Sequence, residues 1–277
     1  MNILNLNFDR IFIDYKGIMC TKLDLSVVII TKNEEKNIVK CLEKIKNIAN
    51  EIIIIDSFST DKTKEIVNNI KANIIFKEVL WQGYGKTKNF GINLAKSKWI
   101  LSLDADEVLT DELIKEIEIV INKESDIFGY YVPRTLFFCN KALHYGGTYP
   151  DYQLRLFKNG AGLFNNSDVH EKLILNGKKG YLKNSMFHYS YHSIFDYFER
   201  FNLYTTLDAE KMYNSGKKIN ILKLFSFNFR LFNKLIIKRG ILDGFYGIFY
   251  HFFSSMYPIV KYAKLFEIYQ NKKSKNF

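Results

Sequence analysis

The chain has 277 residues, which is enough for one large α/β domain with an appendage and too few for three independent domains. Hydrophobic residues make up 47% and aromatic residues 16%, with only 3 prolines, so the composition excludes a disordered chain. The net charge of +11 favours polyanionic partners, and nucleic acid, anionic lipid and phosphorylated substrates all stay open.

The N-terminal residues do not resemble a secretory signal, and the cysteines fit a reducing compartment. Residues 1–24 are interrupted by charged side chains and lack the apolar core of a secretory signal, so we expect a short extension there. Cys20, Cys41 and Cys139 are odd in number and have no CxxC or zinc-ligand spacing. A disulfide framework is therefore not expected, and a reducing cytoplasm fits.

The first half of the chain alternates buried strands with amphipathic helices. The continuous β-branched run at 25–30 predicts a buried strand, and apolar residues at helical spacing from Ile38 to Ile45 predict a helix. The further elements predicted in this half are strands at 51–55, 73–76 and 99–103, with helices around 66–70 and 86–95. This order predicts a parallel, doubly wound sheet.

The second half has a different pattern. Aromatic, strand-like segments at 128–133 and 152–157 are separated by glycines, which favour turns. From Ile194 onward the pattern is helical and rich in Phe, Tyr and Lys. The chain therefore changes from an α/β arrangement to strands and then to a helical appendage.

Polar side chains follow three of the predicted parallel strands, at 31–34, 56–59 and 104–107. Ligands of open parallel sheets bind beyond the carboxyl ends of the strands. Asp104 and Asp106 are spaced i, i+2 at such an end, so both carboxylates can share a hard cation whose remaining positions take diphosphate oxygens. Mg²⁺ or Mn²⁺ suits such a site.

Two other interpretations of Asp104 and Asp106 stay open at this point. Both can be solvated turn residues that cap the helix after Thr110. The run Asp104–Val108 also resembles the nucleophile motif of haloacid-dehalogenase-like phosphatases. That family places the motif on its first strand and needs later Lys and acidic motifs, whereas here at least two predicted strands precede it and no convincing acidic pair follows.

Four motifs in order carry a family resemblance: Ser26–Glu34, Ile55–Thr63, Gly85–Asn89 and Leu103–Glu107. This series resembles glycosyltransferase family 2. In the second half, Gln153–Phe157, Val169–Glu171 and His188 resemble the bacterial lipopolysaccharide-core glucosyltransferase branch of that family. The resemblance covers roughly residues 25–270.

The resemblance implies a GT-A fold, a Rossmann-like and mostly parallel sheet flanked by helices, with a C-terminal helical, aromatic and basic appendage. We therefore divide the chain into an extension at 1–24, a catalytic domain at 25–193 and a membrane-associating region at 194–277. Within the catalytic domain, 25–123 is expected to bind the nucleotide sugar and 124–193 to shape the acceptor pocket.

The resemblance also implies a set of donor-binding residues. These are Thr31, Asn33, Glu34, Asp56, Ser57, Lys88, Asn89, Asp104, Ala105 and Arg155. Thr31, Glu34 and Asp56 are expected at the base or ribose, and Lys88 and Asn89 at the diphosphate or sugar, although Asn89 is equally compatible with ordinary surface. Arg155 either clamps a phosphate or holds the acceptor loop through an ion pair.

Phe58 stands where the family often has glycine after the Asp-Ser pair, which leaves the shape of that loop open.

An inverting reaction needs a carboxylate that takes the proton from the acceptor hydroxyl. Glu171 is the favoured general base, with Asp168 and Glu107 as the next candidates; alternatively, Glu171 caps a strand or pairs with Lys172. His188 is predicted to complete the metal shell with Asp104 and Asp106, and His170 could also do so. The commoner role of such histidines is structural.

The C-terminal region is predicted to bind an anionic membrane surface. No acidic residue occurs between Lys211 and Leu242, where cationic residues alternate with Phe and Ile. Residues 244–260 carry no charge, but polar residues interrupt them, so insertion into the interface is favoured over crossing. Alternatively, these aromatics pack on the catalytic core.

A non-enzymatic protein that binds nucleic acid could use the same basic and aromatic content. No zinc-finger, RNP or helix-turn-helix signature accompanies that content, and the strand-end carboxylates would repel a phosphate backbone. The resemblance instead implies transfer of a hexose, glucose from UDP-glucose, to a lipid-linked saccharide such as the lipopolysaccharide core. The enzyme is then expected in the cytoplasm, peripheral on the inner face of the bacterial cytoplasmic membrane.

Overall fold

The computed structural model describes residues 11–13, 19–165, 171–220 and 226–273. The chain forms two compact units. The first contains Met1–Arg134 and Tyr152–His188, and the second contains Thr135–Asp151 and Tyr189–Phe277. Residues 135–151, placed in the acceptor half by the sequence, thus group with the C-terminal region. The division of the chain by function stays a prediction.

The first unit begins with the predicted alternation of strands and helices. Its elements are β3 (Leu23–Thr31), α1 (Ile38–Ile45), β4 (Ala49–Asp56), α2 (Thr63–Asn69), β5 (Ile74–Glu78), α3 (Tyr84–Leu94) and β6 (Trp99–Asp104). Ahead of them, β1 (Ile11–Ile13) pairs antiparallel with β2 (Met19–Thr21). Strand β3 begins two residues inside the predicted extension, because Leu23 already pairs with Ala49 on β4.

The other strands and one helix follow in chain order. They are β7 (Glu107–Leu109), α4 (Asp111–Asn122), β8 (Ile127–Phe138), β9 (Lys141–Leu143), β10 (Asp151–Lys158), β11 (Gly162–Phe164), β12 (Leu173–Leu175), β13 (Lys178–Tyr181) and β14 (Met186–Tyr191). The main sheet has the strand order β5-β4-β3-β6-β10-β8-β14-β7.

The sheet is parallel throughout its first part and mixed beyond it. Strands β5, β4, β3 and β6 are parallel, but β10 pairs with β6 antiparallel, and β14 pairs with β7 antiparallel. The mostly parallel sheet that the resemblance implies is confirmed, and the parallel, doubly wound alternation predicted for the first half ends at β6, beyond which antiparallel pairs occur. Chain order reverses between β3 and β6, and this switch point opens a crevice at the carboxyl ends of both strands.

Helices cover both faces of the parallel part, which explains its uninterrupted β-branched runs. Along β3, Val27 points into a core built with α1 and α4, whereas Val28 points into a second core that contains Ile92 of α3. Helix α3 approaches β3 closely because it has glycine at the contact. A Cβ atom on Gly91 would lie 2.5 Å from Cγ1 of Val28.

The second unit is mainly helical. It contains α5 (Ile194–Asn214), α6 (Phe227–Phe232) with a π-helical turn (Asn233–Ile237), a 3-10 helix (Gly240–Asp243) and α7 (Gly244–Lys273). Helix α7 packs on α5, and its aromatic residues Phe249, Tyr250 and Phe253 surround Phe138 and Tyr197. Within the described part of the chain, none of the helices has the length and hydrophobicity needed to span a bilayer.

Candidate active site

The turn between β6 and β7 presents Asp104, Asp106 and Glu107 at the switch point. Thr31 at the end of β3 lies opposite Asp56 on β4, and Ile30 lies opposite Asp104 on β6, so the three strand ends are level. The interpretation of Asp104 and Asp106 as helix caps is wrong. Thr110 itself caps α4, because its Oγ1 accepts a hydrogen bond of 3.2 Å from the amide of Leu113.

Asp104 lies between two buried cations from different elements. The Nζ of Lys88 on α3 is 2.8 Å from its Oδ1, and the guanidinium of Arg155 on β10 bonds its Oδ2. Burial alone would raise the pKa of Asp104, but the charges of Arg155 and Lys88 outweigh burial and hold that pKa far below its usual range. Asp104 is therefore a carboxylate at neutral pH.

Glu171 lies at the same centre, because Lys88 also binds it. The Nζ of Lys88 is 2.8 Å from Oε1 of Glu171, and the Lys88 side chain is only 1% exposed. Glu171 itself keeps 15% of its side chain exposed, so its carboxylate is not closed off from solvent. Glu171 therefore pairs with Lys88, and the alternative pairing with Lys172 is wrong. Lys88 also connects Glu171, the favoured base, to the strand-end carboxylate of Asp104.

Asp106 and His188 form a second polar pair at this turn. Their Oδ2 and Nε2 atoms are 3.3 Å apart, and His188 lies opposite Glu107 in the β7–β14 ladder. A carboxylate and an imidazole suit Mn²⁺, whose other ligands can be diphosphate oxygens and water. Among the described residues, no three or more ligand-type side chains converge into a complete metal cage. The residues present thus fit a cation shared with the donor.

Glu107 is fully buried and has three partners. Its Oε1 is 3.0 Å from Nη1 of Arg134 and 2.6 Å from Nη2 of Arg155, and its Oε2 accepts a 3.0 Å hydrogen bond from the amide of Asp104. This environment argues against Glu107 as general base, because an acceptor hydroxyl cannot reach it. Arg134 is a site residue that the sequence motifs did not indicate.

The loops after β3 and β4 are joined by the polar residues that were predicted to contact the nucleotide. The carboxylate of Asp56 accepts hydrogen bonds from Oγ1 of Thr31 at 2.7 Å and from the amide and hydroxyl of Ser59. The Oδ1 of Asn33 accepts from the amide of Thr60 at 2.8 Å. These bonds hold the loops in place, and contacts to the base and ribose stay predictions.

The backbone at Phe58 shows the shape of the loop after Asp56, which the sequence left open. Its φ is +56°, in the left-handed region that glycine adopts most easily, and its ring is 48% exposed. The chain therefore keeps the glycine-type turn after Asp56 with a bulky residue, which costs backbone strain. Asn33 on the facing loop has the same φ of +56°.

The remaining predicted donor contacts differ in their surroundings. Asn89 binds the backbone of Phe164 with both ends of its amide, at 2.8 Å each, so in this structure it fastens α3 to β11. Ala105 and Ser57 are buried, and the Ser57 hydroxyl has no hydrogen-bond partner among the described residues. The Nδ2 of Asn37 donates a hydrogen bond of 2.9 Å to Oε2 of Glu34. Asp168 and His170 lie outside the described residues.

Comparison with known proteins decides the family. The model of the family described as Glycosyl transferase family 2 matches residues 26–146. An uncharacterized glycosyltransferase of Rickettsia typhi is 30% identical over 271 residues, with 91% of this chain and 89% of the relative covered. The chain belongs to glycosyltransferase family 2. It is therefore an enzyme, and both the phosphatase and the non-enzymatic alternatives are overturned.

Two further comparisons concern a named relative and the fold. The lipopolysaccharide core biosynthesis glycosyltransferase LpsC of Rhizobium meliloti is 30% identical over 259 residues, with 90% of this chain and 94% of LpsC covered. The mannosyltransferase PcManGT of Pyrobaculum calidifontis, solved with GDP-Man and Mn²⁺, superimposes with a TM-score of 0.52 at 13% identity, with 88% of this chain and 87% of that chain covered. The predicted GT-A fold is confirmed.

Proposed function

We propose that this family 2 glycosyltransferase is an inverting, metal-dependent enzyme that transfers glucose from UDP-glucose to a lipid-linked saccharide such as the lipopolysaccharide core. One observation carries the proposal: Lys88 binds Asp104 at the end of β6 and Glu171, two residues before β12. A carboxylate of the donor site and a candidate base therefore flank one buried ammonium. The LpsC relative supports a lipopolysaccharide acceptor.

The cation is proposed to be Mn²⁺ or Mg²⁺, held by Asp106 and His188 with Asp104 beside them. Such an ion neutralises the charge that develops on a leaving nucleoside diphosphate. Side chains of the protein supply further positive charge. Lys88 and Arg155, both buried, supply positive charge next to Asp104, where anionic donor groups are expected.

Glu171 is proposed to take the proton from the attacking hydroxyl of the acceptor. Its Oε1 faces Lys88, and its partial exposure lets the acceptor oxygen come within hydrogen-bond distance. Inversion requires attack from the face opposite the diphosphate, so the base and the cation ligands must lie on different sides of the sugar. Thr31, Glu34 and Asp56 remain the proposed contacts of the base and ribose.

Incubation with a panel of nucleotide sugars tests the donor. We expect slow release of UDP from UDP-glucose in the presence of Mn²⁺ or Mg²⁺, faster release when a lipopolysaccharide core acceptor is added, and none after EDTA treatment. Nucleotide release would be followed by chromatography, with GDP-mannose and UDP-N-acetylglucosamine as matched donors. Preference for another donor would replace glucose in the proposal, and release unaffected by EDTA would exclude a metal-dependent reaction.

The second unit offers a membrane-binding surface, which we call the basic–apolar patch and define as residues 229–245. Apolar side chains that are at least half exposed alternate there with cationic ones. The exposed apolar residues are Phe229, Phe232, Ile236, Ile237, Ile241, Leu242 and Phe245. Arg230, Lys234, Lys238 and Arg239 supply the charge, and the one acidic residue, Asp243, is buried.

We propose that this patch lies on anionic headgroups, which both its charge and its exposed rings favour. The aromatic residues of α7 predicted to insert there are not all available, because Phe249, Tyr250 and Phe253 pack within the second unit. Lys223 and Phe225 of the predicted segment lie outside the described residues. This placement would bring the acceptor lipid near the enzyme at the inner face of the cytoplasmic membrane.

Liposome sedimentation tests the patch. We expect binding to phosphatidylglycerol vesicles that weakens with salt, because surface attraction is screened over about 10 Å at 0.1 M. The Phe229→Ser and Ile237→Ser double variant should bind about tenfold more weakly, because two exposed apolar side chains are lost. Ile119→Ser on α4, at a side chain 66% exposed in the first unit, should change nothing. Equal losses in both proteins would contradict the patch.

A further inference from the structure

Glu107 is a fully buried carboxylate of the candidate active site, and the proposed chemistry gives it no task. It is fully buried, with Arg134 of β8 and Arg155 of β10 on one oxygen and the amide of Asp104 on the other. One side chain thus touches the turn that carries Asp104 and Asp106 as well as the guanidinium that binds Asp104. A residue in this position can fix the conformation of the turn without contacting the substrate.

The charges around Glu107 show what it balances. Asp104 faces the cations of Lys88 and Arg155, and Arg155 is shared between Asp104 and Glu107 through the same Nη2 atom. Without the Glu107 charge, Arg155 would act on Asp104 alone. The resulting gain of net positive charge beside Asp104 would disfavour a divalent cation at the adjacent turn.

The backbone contact adds a geometric effect. The Oε2 of Glu107 accepts from the amide of Asp104, three residues earlier, and so closes the turn between β6 and β7. On β14, His188 lies opposite Glu107, which aligns the partner of Asp106 with the same short strand. Each candidate cation ligand therefore lies next to Glu107: the amide of Asp104 donates to it, Asp106 precedes it in the chain, and His188 lies opposite it.

We propose that Glu107 is a positioning residue, which fixes the turn and shares the charge of Arg155 so that Asp104 and Asp106 can receive a divalent cation together with the donor diphosphate. This role rests on the proposed metal-dependent function. It replaces the candidacy of Glu107 as general base, and it places Arg134 among the positive charges that Glu107 balances.

Glu107→Gln tests the proposal through binding and kinetics. Calorimetric titration with Mn²⁺ in the presence of UDP should give a dissociation constant about tenfold higher than for the unchanged protein, since one negative charge is lost close to the site. The Mn²⁺ concentration for half-maximal activity should rise by a similar factor of about ten, whereas kcat at saturating Mn²⁺ should stay within about threefold.

Arg134→Met separates the charge effect from general damage. It removes a positive charge from the same network, so Mn²⁺ should bind no more weakly than in the unchanged protein, whereas loss of packing alone would weaken binding in both variants. Glu118→Gln, at an exposed position of α4, serves as the neutral control. Thermal unfolding of each variant would ensure that every titration is made below its unfolding temperature.

The outcomes distinguish this inference from the proposed function. Absence of Mn²⁺-dependent UDP binding in the unchanged protein would refute the metal-dependent function itself. If the unchanged protein binds and Glu107→Gln instead loses kcat by about 10² at unaltered Mn²⁺ affinity, Glu107 acts on the chemical step and the positioning role is wrong. Unaltered affinity and unaltered kcat, or weakened binding in both Glu107→Gln and Arg134→Met, would also overturn it.

Discussion

Asp106→Asn is expected to lower metal-dependent sugar transfer by a factor of about 10³, because a cation that stabilises a leaving diphosphate contributes several kcal/mol. The amide keeps the size of the side chain but gives up the carboxylate that faces Nε2 of His188. UDP release from UDP-glucose and calorimetric Mn²⁺ binding would both be measured. We expect both to be lost while the fold is retained.

Asp104→Asn is expected to abolish turnover as well, but with a cost to stability that Asp106→Asn does not have. Asp104 binds the buried cations Lys88 and Arg155, each of which keeps one other carboxylate partner, so the loss of these contacts is expected to destabilise by about 1–3 kcal/mol. Asp111→Asn, at a side chain 70% exposed on α4, is the matched control. Full activity of both active-site variants would exclude the metal-dependent reaction.

The order of strands and helices could be predicted up to β6, because hydrophobic periodicity and turn residues are local signals. The antiparallel return of β10 beside β6 could not be predicted, since it depends on pairing between residues about 55 positions apart, such as Leu101 and Leu156. The segment at 152–157 has the same strand-like pattern in either direction. Sequence periodicity does not specify which neighbour a strand chooses.

Site residues that directly follow a strand could be predicted from the sequence. Site residues that reach the site only through tertiary packing could not. Asp104 and Asp106 stand out after the apolar run of β6, but Arg134 gives no signal in its sequence neighbourhood and is recruited only by its approach to Glu107. The amide of Asn89, expected at the donor, binds the backbone of Phe164. Which hydrogen-bonding group remains free for a ligand is a property of the folded chain.

The conformation of the loop after β4 is a third feature that could not be predicted from the sequence. Phe58 in place of glycine suggested an altered turn, yet the backbone keeps a positive φ there. Lys32 explains part of this outcome, because its Nζ donates to the carbonyl oxygen of Ser57 at 2.7 Å and also binds that of Phe58. Contacts from the neighbouring loop thus hold a conformation that the residue itself disfavours.

Glu171→Gln is expected to lower sugar transfer to the acceptor by a factor of about 10² or more, because the amide keeps the shape but cannot accept the hydroxyl proton. Binding of Mn²⁺ and UDP should be retained, since Lys88 still has Asp104 as its partner. Transfer would be measured with a lipopolysaccharide core acceptor, and UDP binding by calorimetry. Glu112→Gln, exposed in the first turn of α4, is the matched control.

The comparison with Asp168→Asn decides between the remaining carboxylates. Asp168 lies three residues before Glu171, outside the described residues, so the structure does not rank it against Glu171. If Glu171→Gln transfers sugar at a near-normal rate and Asp168→Asn does not, the general base is Asp168. If neither variant loses transfer, the segment has a structural role. Glu107 cannot then take over, because its burial and its two arginine partners close it to an acceptor hydroxyl.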